Sequence, residues 1–109
     1  MTSVRLRELN NGFLFSCEGH AGFAEKGRDI VCAGVSALCM ALVRRLEDMS
    51  LEGMVHLARC DVADGEVSLR VETEDGDKMS ELMLQSAVRT VMAGFAALEE
   101  AYGEYVELT

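Results

Sequence analysis

At 109 residues, half of them hydrophobic, the chain is predicted to form one domain over residues 1–109 with a single core. Its formal net charge of −9 argues against direct contact with nucleic acid or with an anionic membrane, because phosphate groups would be repelled. The same charge suits either a merely soluble acidic surface or the attraction of a basic peptide or protein partner.

The start of the sequence and its apolar runs predict a cytoplasmic protein. Met1–Arg5 shows no basic region followed by an apolar stretch, so no signal peptide is visible. The longest apolar run, Ile30–Val43, is too short to span a bilayer. The sequence contains four cysteines, Cys17, Cys32, Cys39 and Cys60. Without an export signal, they are interpreted as reduced thiols rather than as a disulfide framework.

The first third of the chain predicts a β-hairpin followed by a long loop. Val4–Leu9 mostly alternates between apolar and charged residues, which indicates a half-buried strand. Asn10–Gly12 is a hairpin-turn signal, and the apolar positions of Phe13–Cys17 share one face of a second strand. Glu18–Arg28 contains glycines and charges. A loop of this length exceeds most connections in a compact domain, which favours a functional role.

A long apolar helix follows the loop. Asp29 is a good N-cap, and the helix that it opens is predicted to end near Met49. The first three turns have almost no polar face, and a helix that is apolar nearly all round must be covered on more than one side.

The second half repeats the order of the first. Leu57–Val62 and Glu66–Val71 are predicted strands that flank a hairpin signal at Asp64–Gly65. Asp77–Tyr102 has apolar residues in steps of four and three, which indicates an amphipathic helix. For the tail, Glu104–Leu108, the sequence does not decide between a short strand and an end without regular structure.

This succession predicts an α+β fold, a two-layer ββαββα sandwich with a mostly antiparallel sheet and two helices on one face. In such a sandwich, the first helix has more apolar surface than one packed face accounts for, so another surface must bury the rest. A homodimer that buries it is the preferred explanation, and burial between the sheet and the second helix is the alternative.

His20 and Cys32 are the candidate chemical groups. Cys32 is the third residue of the predicted helix, where backbone N–H groups and the helix dipole favour a thiolate and can also bind an oxyanion. His20 lies in the preceding loop, which is long enough to bring its imidazole within hydrogen-bond reach. Cys32 would then act as nucleophile and His20 as base and later acid, with Asp29 available to orient His20.

Residue types alone leave other interpretations open. A cysteine on an apolar helix is usually part of the core, and Cys17, Cys39 and Cys60 are expected to be buried. Cys17-x-x-His20 together with Cys32 supplies three potential zinc ligands, but zinc sites usually bring a second close-spaced pair. We therefore expect no metal and no cofactor.

Two motifs carry a family resemblance. Gly19–Ala21 and Gly27–Ala33, followed by Val35–Ser36, resemble the ribosomal-processing cysteine protease family, in the family's order and at its separation. The second half matches only in its pattern of elements, including a Glu-rich stretch that ends in Tyr102–Tyr105.

The resemblance implies an endopeptidase of the bacterial cytosol that acts as a homodimer. Its implied substrate is a large-subunit ribosomal protein, from which it removes a short, aromatic-rich N-terminal extension. A non-enzymatic, homodimeric, ribosome-associated binding module with the same fold is the alternative.

Carried over onto this sequence, the resemblance places the nucleophile at Cys32 and the histidine at His20. Asp29 and Ser36 match the motif and receive only supporting roles. Gly22–Lys26 receives no transferred role and is a candidate for a mobile flap over the peptide.

Overall fold

The computed structural model describes residues 1–109, and its elements follow the predicted order with one addition at the end. The strands are β1 (Thr2–Leu9), β2 (Gly12–Gly19), β3 (His56–Ala63), β4 (Glu66–Glu72) and β5 (Val106–Leu108). The helices are α1 (Ile30–Leu51) and α2 (Lys78–Tyr102). The predicted α+β fold class is confirmed, and the tail that the sequence left open forms β5.

The five strands form one sheet in the order β3-β4-β2-β1-β5, with β2 at its centre. All neighbouring pairs are antiparallel except β1 and β5, which are parallel. In the pairing of β2 with β4, Glu18 lies opposite Glu66. The end of β2 therefore lies beside the turn at Asp64–Gly65 that joins β3 to β4.

The core lies between one face of the sheet and the two helices. Apolar side chains alternate along the strands, as expected for a sheet with one buried face. The buried hydrophobic residues of the strands are Val4, Phe13, Phe15, Cys17, Val67, Leu69, Val71 and Val106. Phe95 of α2 is fully buried, and its ring centroid lies 5.9 Å from that of Phe15. This aromatic contact ties α2 to the central strand.

The two helices pack through reciprocal contacts between glycine and leucine. Leu98 of α2 lies over Gly34 of α1, and Leu38 of α1 lies over Gly94 of α2. The early part of α1 thus meets the late part of α2, so the helices run antiparallel. A Cβ at Gly34 would lie 3.3 Å from Leu98 Cδ2, whereas a Cβ at Gly94 would lie only 2.6 Å from Leu38 Cδ2.

Burial within the chain covers only part of the apolar surface of α1. Seven of its residues are buried, namely Val31, Val35, Cys39, Leu42, Val43, Leu46 and Met49. Ile30 and Met40 remain 59% and 43% exposed. The second helix and the sheet therefore account for one side of α1 and leave another side uncovered. Neither helix is long and apolar enough to cross a membrane.

Cys60 is exposed, so the expectation that it is buried was wrong. Cys60 lies opposite Leu69 in the sheet register, on the side that the helices cover. However, β3 is an edge strand and all but one of its residues are exposed, because the helices cover the inner strands more completely. A strand pattern alone does not show whether a strand lies at the edge.

We predict that Gly94→Ala lowers the free energy of unfolding by about 1–3 kcal/mol relative to Gly34→Ala, because its methyl group meets Leu38 at overlapping distance. Both substitutions replace a helical glycine and gain about 1 kcal/mol of helix propensity, which cancels in the comparison. Urea denaturation of the two variants measures the difference. Equal stabilities would contradict the closer helix approach at Gly94.

Candidate active site

The structure brings His20 and Cys32 to the same place. His20 directly follows β2, and Cys32 is the third residue of α1. Both side chains line two adjoining cavities, one of about 150 Å³ and one of about 500 Å³. No hydrogen bond joins the imidazole to the thiol, and such contacts often tighten only when substrate is bound.

Asp29 caps the helix that carries Cys32. Its Oδ1 accepts a hydrogen bond from the N–H of Cys32 at 2.8 Å, which confirms the predicted N-cap. Its Oδ2 accepts from the N–H groups of Phe23 and Ala24 at 3.0 and 3.4 Å. The donated hydrogen bonds, that of Cys32 foremost, lower the pKa of the Asp29 carboxyl. Asp29 therefore joins the helix start to the loop.

The hydrogen bonds of Asp29 limit two roles that were considered for this region. Both carboxylate oxygens of Asp29 are engaged by backbone N–H groups, and neither is hydrogen bonded to His20. One of the N–H groups at the helix start that were expected to bind an oxyanion, that of Cys32, is occupied by the Asp29 cap. The cap thus removes a donor that the position of Cys32 on the helix seemed to offer.

Ser36 lies one turn after Cys32 on the same face of α1. It is exposed and lines both cavities with His20 and Cys32. Its hydroxyl is therefore within the site, where the motif placed a supporting residue.

Cys17 and Cys39 form part of the wall of the smaller cavity. Both are buried, as expected. The interaction with the neighbouring Cys17 thiol, together with burial, raises the pKa of the Cys39 thiol, which keeps it protonated and unreactive. No three His, Cys, Asp or Glu side chains are grouped so that they could hold a metal ion.

The loop between β2 and α1 is held on its outer side by an aromatic cluster. The ring of Phe23 packs edge-on against Tyr102 and Tyr105, with centroid distances of 5.7 and 5.2 Å. These tyrosines lie at the end of α2 and just before β5. The loop thus has two attachments, one through the Asp29 carboxylate and one through Phe23.

The turn between β3 and β4 is the part of the site that sequence reasoning missed. Asp64 lines both cavities, and its carboxylate oxygen lies 3.7 Å from Lys26 Nζ. Gly65 lines the smaller cavity next to His20. The Asp-Gly pair was recognised only as a hairpin signal, because nothing in the sequence shows that β4 pairs with β2 rather than with another strand.

Comparisons with solved structures give the same fold. The chain is similar to the essential ribosomal processing protease Prp from S. aureus in complex with a covalently linked product peptide, with 23% identity and a TM-score of 0.71 over 100% of this chain and 98% of that chain. The S. aureus protease with a substrate peptide gives 21% identity and a TM-score of 0.65, over 100% and 98% of the two chains. SMU.848 from Streptococcus mutans gives 24% identity and a TM-score of 0.67, over 100% of this chain and 92% of that chain.

At these identities the structural likeness establishes the fold. No curated protein sequence matches the chain. The family model described as cysteine protease Prp matches residues 1–107, nearly the whole chain. With a cysteine at the start of α1 and a histidine facing the same cavities, the chain belongs to the Prp family of cysteine proteases.

Proposed function

We propose that this cysteine protease is an endopeptidase that removes an aromatic-rich N-terminal extension from a large-subunit ribosomal protein, with Cys32 as nucleophile and His20 as general base and acid. The observation that carries the residue assignment is that Cys32, at the N-terminus of α1, and His20 line the same two cavities. The substrate assignment is supported by the likeness to the S. aureus ribosomal processing protease bound to peptides.

The chemistry follows from this arrangement. The helix N-terminus favours a Cys32 thiolate, and His20 takes up the proton. The sulfur attacks the scissile carbonyl carbon to form a C–S bond, and His20 then protonates the leaving amine as the C–N bond breaks. Water, deprotonated by His20, attacks the thioester and releases the carboxylate product, which restores the thiol.

The oxyanion of the tetrahedral intermediate needs a donor other than the N–H of Cys32. The hydroxyl of Ser36 lines both cavities and can supply one hydrogen bond. We assign this supporting role to Ser36 and the role of helix cap and loop anchor to Asp29.

The smaller cavity suits an apolar side chain of the substrate. Its walls include Val35 and Met40 of α1 and Val62 and Val67 of the β3–β4 hairpin. An aromatic or large aliphatic group inserted there would lie beside the nucleophile. The net charge of −9 favours basic residues that flank the cleavage site, an attraction that weakens with added salt.

Gly22–Lys26 is the proposed flap over the bound peptide. Most of this segment borders the larger cavity, and its two attachments lie at Asp29 and at the tyrosines that contact Phe23. Opening of the flap therefore requires loss of the edge-on aromatic contacts and of the hydrogen bonds that Phe23 and Ala24 donate to Asp29 Oδ2. The hydrogen bond from Cys32 to Asp29 Oδ1 can stay in place.

We predict that Cys32 alkylates faster at neutral pH than Cys60, although Cys60 is exposed, and far faster than Cys17 and Cys39. Partial desolvation, with the carboxylates of Glu47 and Asp61, raises the pKa of Cys60, so it ionises only at higher pH. The preference for Cys32 should shrink as the pH rises above about 9. Peptide mapping after brief iodoacetamide treatment measures each site, and preferential labelling of Cys60 at pH 7 would refute the assignment.

We predict that the wild-type protein cuts a peptide with an aromatic-rich N-terminal extension on the carboxyl side of the aromatic pair. Cys32→Ser should abolish turnover, because a hydroxyl stays protonated where a thiol ionises. Cys32→Ala should still bind the peptide, and chelators should have no effect. Mass spectrometry of the digests, with Cys60→Ala as the matched control, gives the outcome. Binding without cleavage by the wild type would favour the ribosome-associated binding module instead.

We also propose that the protein is a homodimer that covers the exposed side of α1 around Ile30 and Met40. Sedimentation at micromolar concentration should give about twice the chain mass of 11.9 kDa. Met40→Glu should shift the protein towards monomer, because a carboxylate would be buried without a partner. A wild-type monomer at that concentration would exclude the dimer.

A further inference from the structure

Gly65 lies directly against the imidazole of His20. A Cβ at Gly65 would lie 2.8 Å from Nε2, 2.9 Å from Cε1 and 3.5 Å from Cδ2 of that ring. A Cβ does not fit within 3 Å of ring atoms, so any side chain at this position would force the imidazole to move. The space that His20 occupies exists because residue 65 has no side chain.

The backbone of Gly65 also holds the strand that carries His20. The N–H of Gly19 donates to the carbonyl oxygen of Gly65 at 2.8 Å. One glycine therefore contacts the residue before His20 through its carbonyl group and the His20 ring through its α-carbon. The turn between β3 and β4 and the end of β2 form one unit beside the nucleophile.

The conformation of the turn gives a second, separate reason for glycine. Gly65 has φ +73°, in the left-handed region that glycine adopts without penalty. The positive φ alone would favour glycine at this position of the turn, whatever residues lie next to it. It does not explain the contact with the ring, so the two reasons can be separated by experiment.

We propose that Gly65 is a positioning residue for His20, a role that rests on the assignment of His20 as the general base. The flat glycine surface supports one side of an exposed imidazole that has no carboxylate partner. In many triads a carboxylate orients the histidine. Here the Asp29 carboxylate is engaged elsewhere, and contact with the turn orients the ring instead.

The test compares two glycines with the same backbone strain. Gly53 has φ +75°, close to that of Gly65, and a Cβ there would meet no atom within 4 Å. Gly65→Ala and Gly53→Ala therefore impose equal strain, but only the first displaces the imidazole. Gly65→Asn is the variant that preserves folding, because asparagine tolerates the left-handed region while it still adds a Cβ.

The primary readout is the rate at which Cys32 reacts with iodoacetamide between pH 5 and about 9. We expect both Gly65 variants to react at neutral pH about as slowly as His20→Ala, with the same altered pH profile. Gly53→Ala should keep the wild-type profile. In the His20→Ala background, Gly65→Asn should have no further effect. A slowing that persists there, or one that Gly53→Ala shares, would show that Gly65 acts only on the fold.

Peptide cleavage is the second readout. Displacement of the base should lower kcat by tenfold or more, since positioned acid–base groups contribute about 10²–10⁴-fold, and should change KM little. The iodoacetamide assay needs no substrate. If the wild type cleaves no ribosomal extension but the Gly65 variants still alter the profile of Cys32, the substrate proposal fails and the positioning role stands.

A measurement on the unmodified protein completes the test. The glycine α-proton that takes the place of a Cβ points at the ring, so nuclear Overhauser contacts are expected between it and the Hε1 proton of His20. Their absence would overturn the proposal even if the variants failed to fold.

Discussion

The carboxylate of Asp29 is the contact on which the site depends. It accepts hydrogen bonds from the N–H of Cys32 on one oxygen and from Phe23 and Ala24 on the other. These bonds fix the residue at which α1 begins, and therefore the position of the Cys32 side chain relative to the cavities. They also hold the loop against the helix, so one carboxylate sets the position of Cys32 relative to the proposed flap.

The pH range of this anchor follows from the direction of its pKa shift. The donated N–H groups lower the pKa of Asp29 below its usual value. A carboxyl group with a lowered pKa in the folded state contributes stability above its unfolded pKa, and that stability is lost as the pH falls through the folded value. The anchor therefore stays intact where imidazoles and thiols titrate. Any change in activity between about pH 5 and 9 is therefore expected to come from groups other than the Asp29 anchor.

Local sequence signals were sufficient to predict the secondary-structure elements. Asp29 as a cap, the Asn-Gly and Asp-Gly turns and the apolar periodicity of the helices all depend on neighbouring residues, and the structure confirms them. The sequence also placed Cys32 beside the cap and His20 in the loop before it, and the structure shows both residues lining the same cavities. Their catalytic roles stay a prediction that comes from the family resemblance.

The features that were missed depend on contacts between distant residues. Cys60 is exposed because β3 lies at the sheet edge, and Gly65 reaches His20 because β4 pairs with β2. Phe23 meets the tyrosines at the end of α2 only because the helices run antiparallel. Strand order and helix direction are set by the packing of the whole core, which a single sequence does not display.

The cap gives the site its rigidity and also limits its chemistry. An N-cap carboxylate occupies the N–H of Cys32 and places a negative charge near the sulfur that becomes a thiolate in the proposed mechanism. In that mechanism the helix dipole offsets the charge, and the oxyanion needs donors other than the N–H of Cys32. Ser36 and the turn at Asp64–Gly65 line the smaller cavity, whereas Asp29 borders only the larger one. In the proposed mechanism, the anchoring of α1 and the stabilisation of the reacting groups are therefore carried by different residues. The cavities that would hold the substrate form only where β2, α1 and the β3–β4 turn meet.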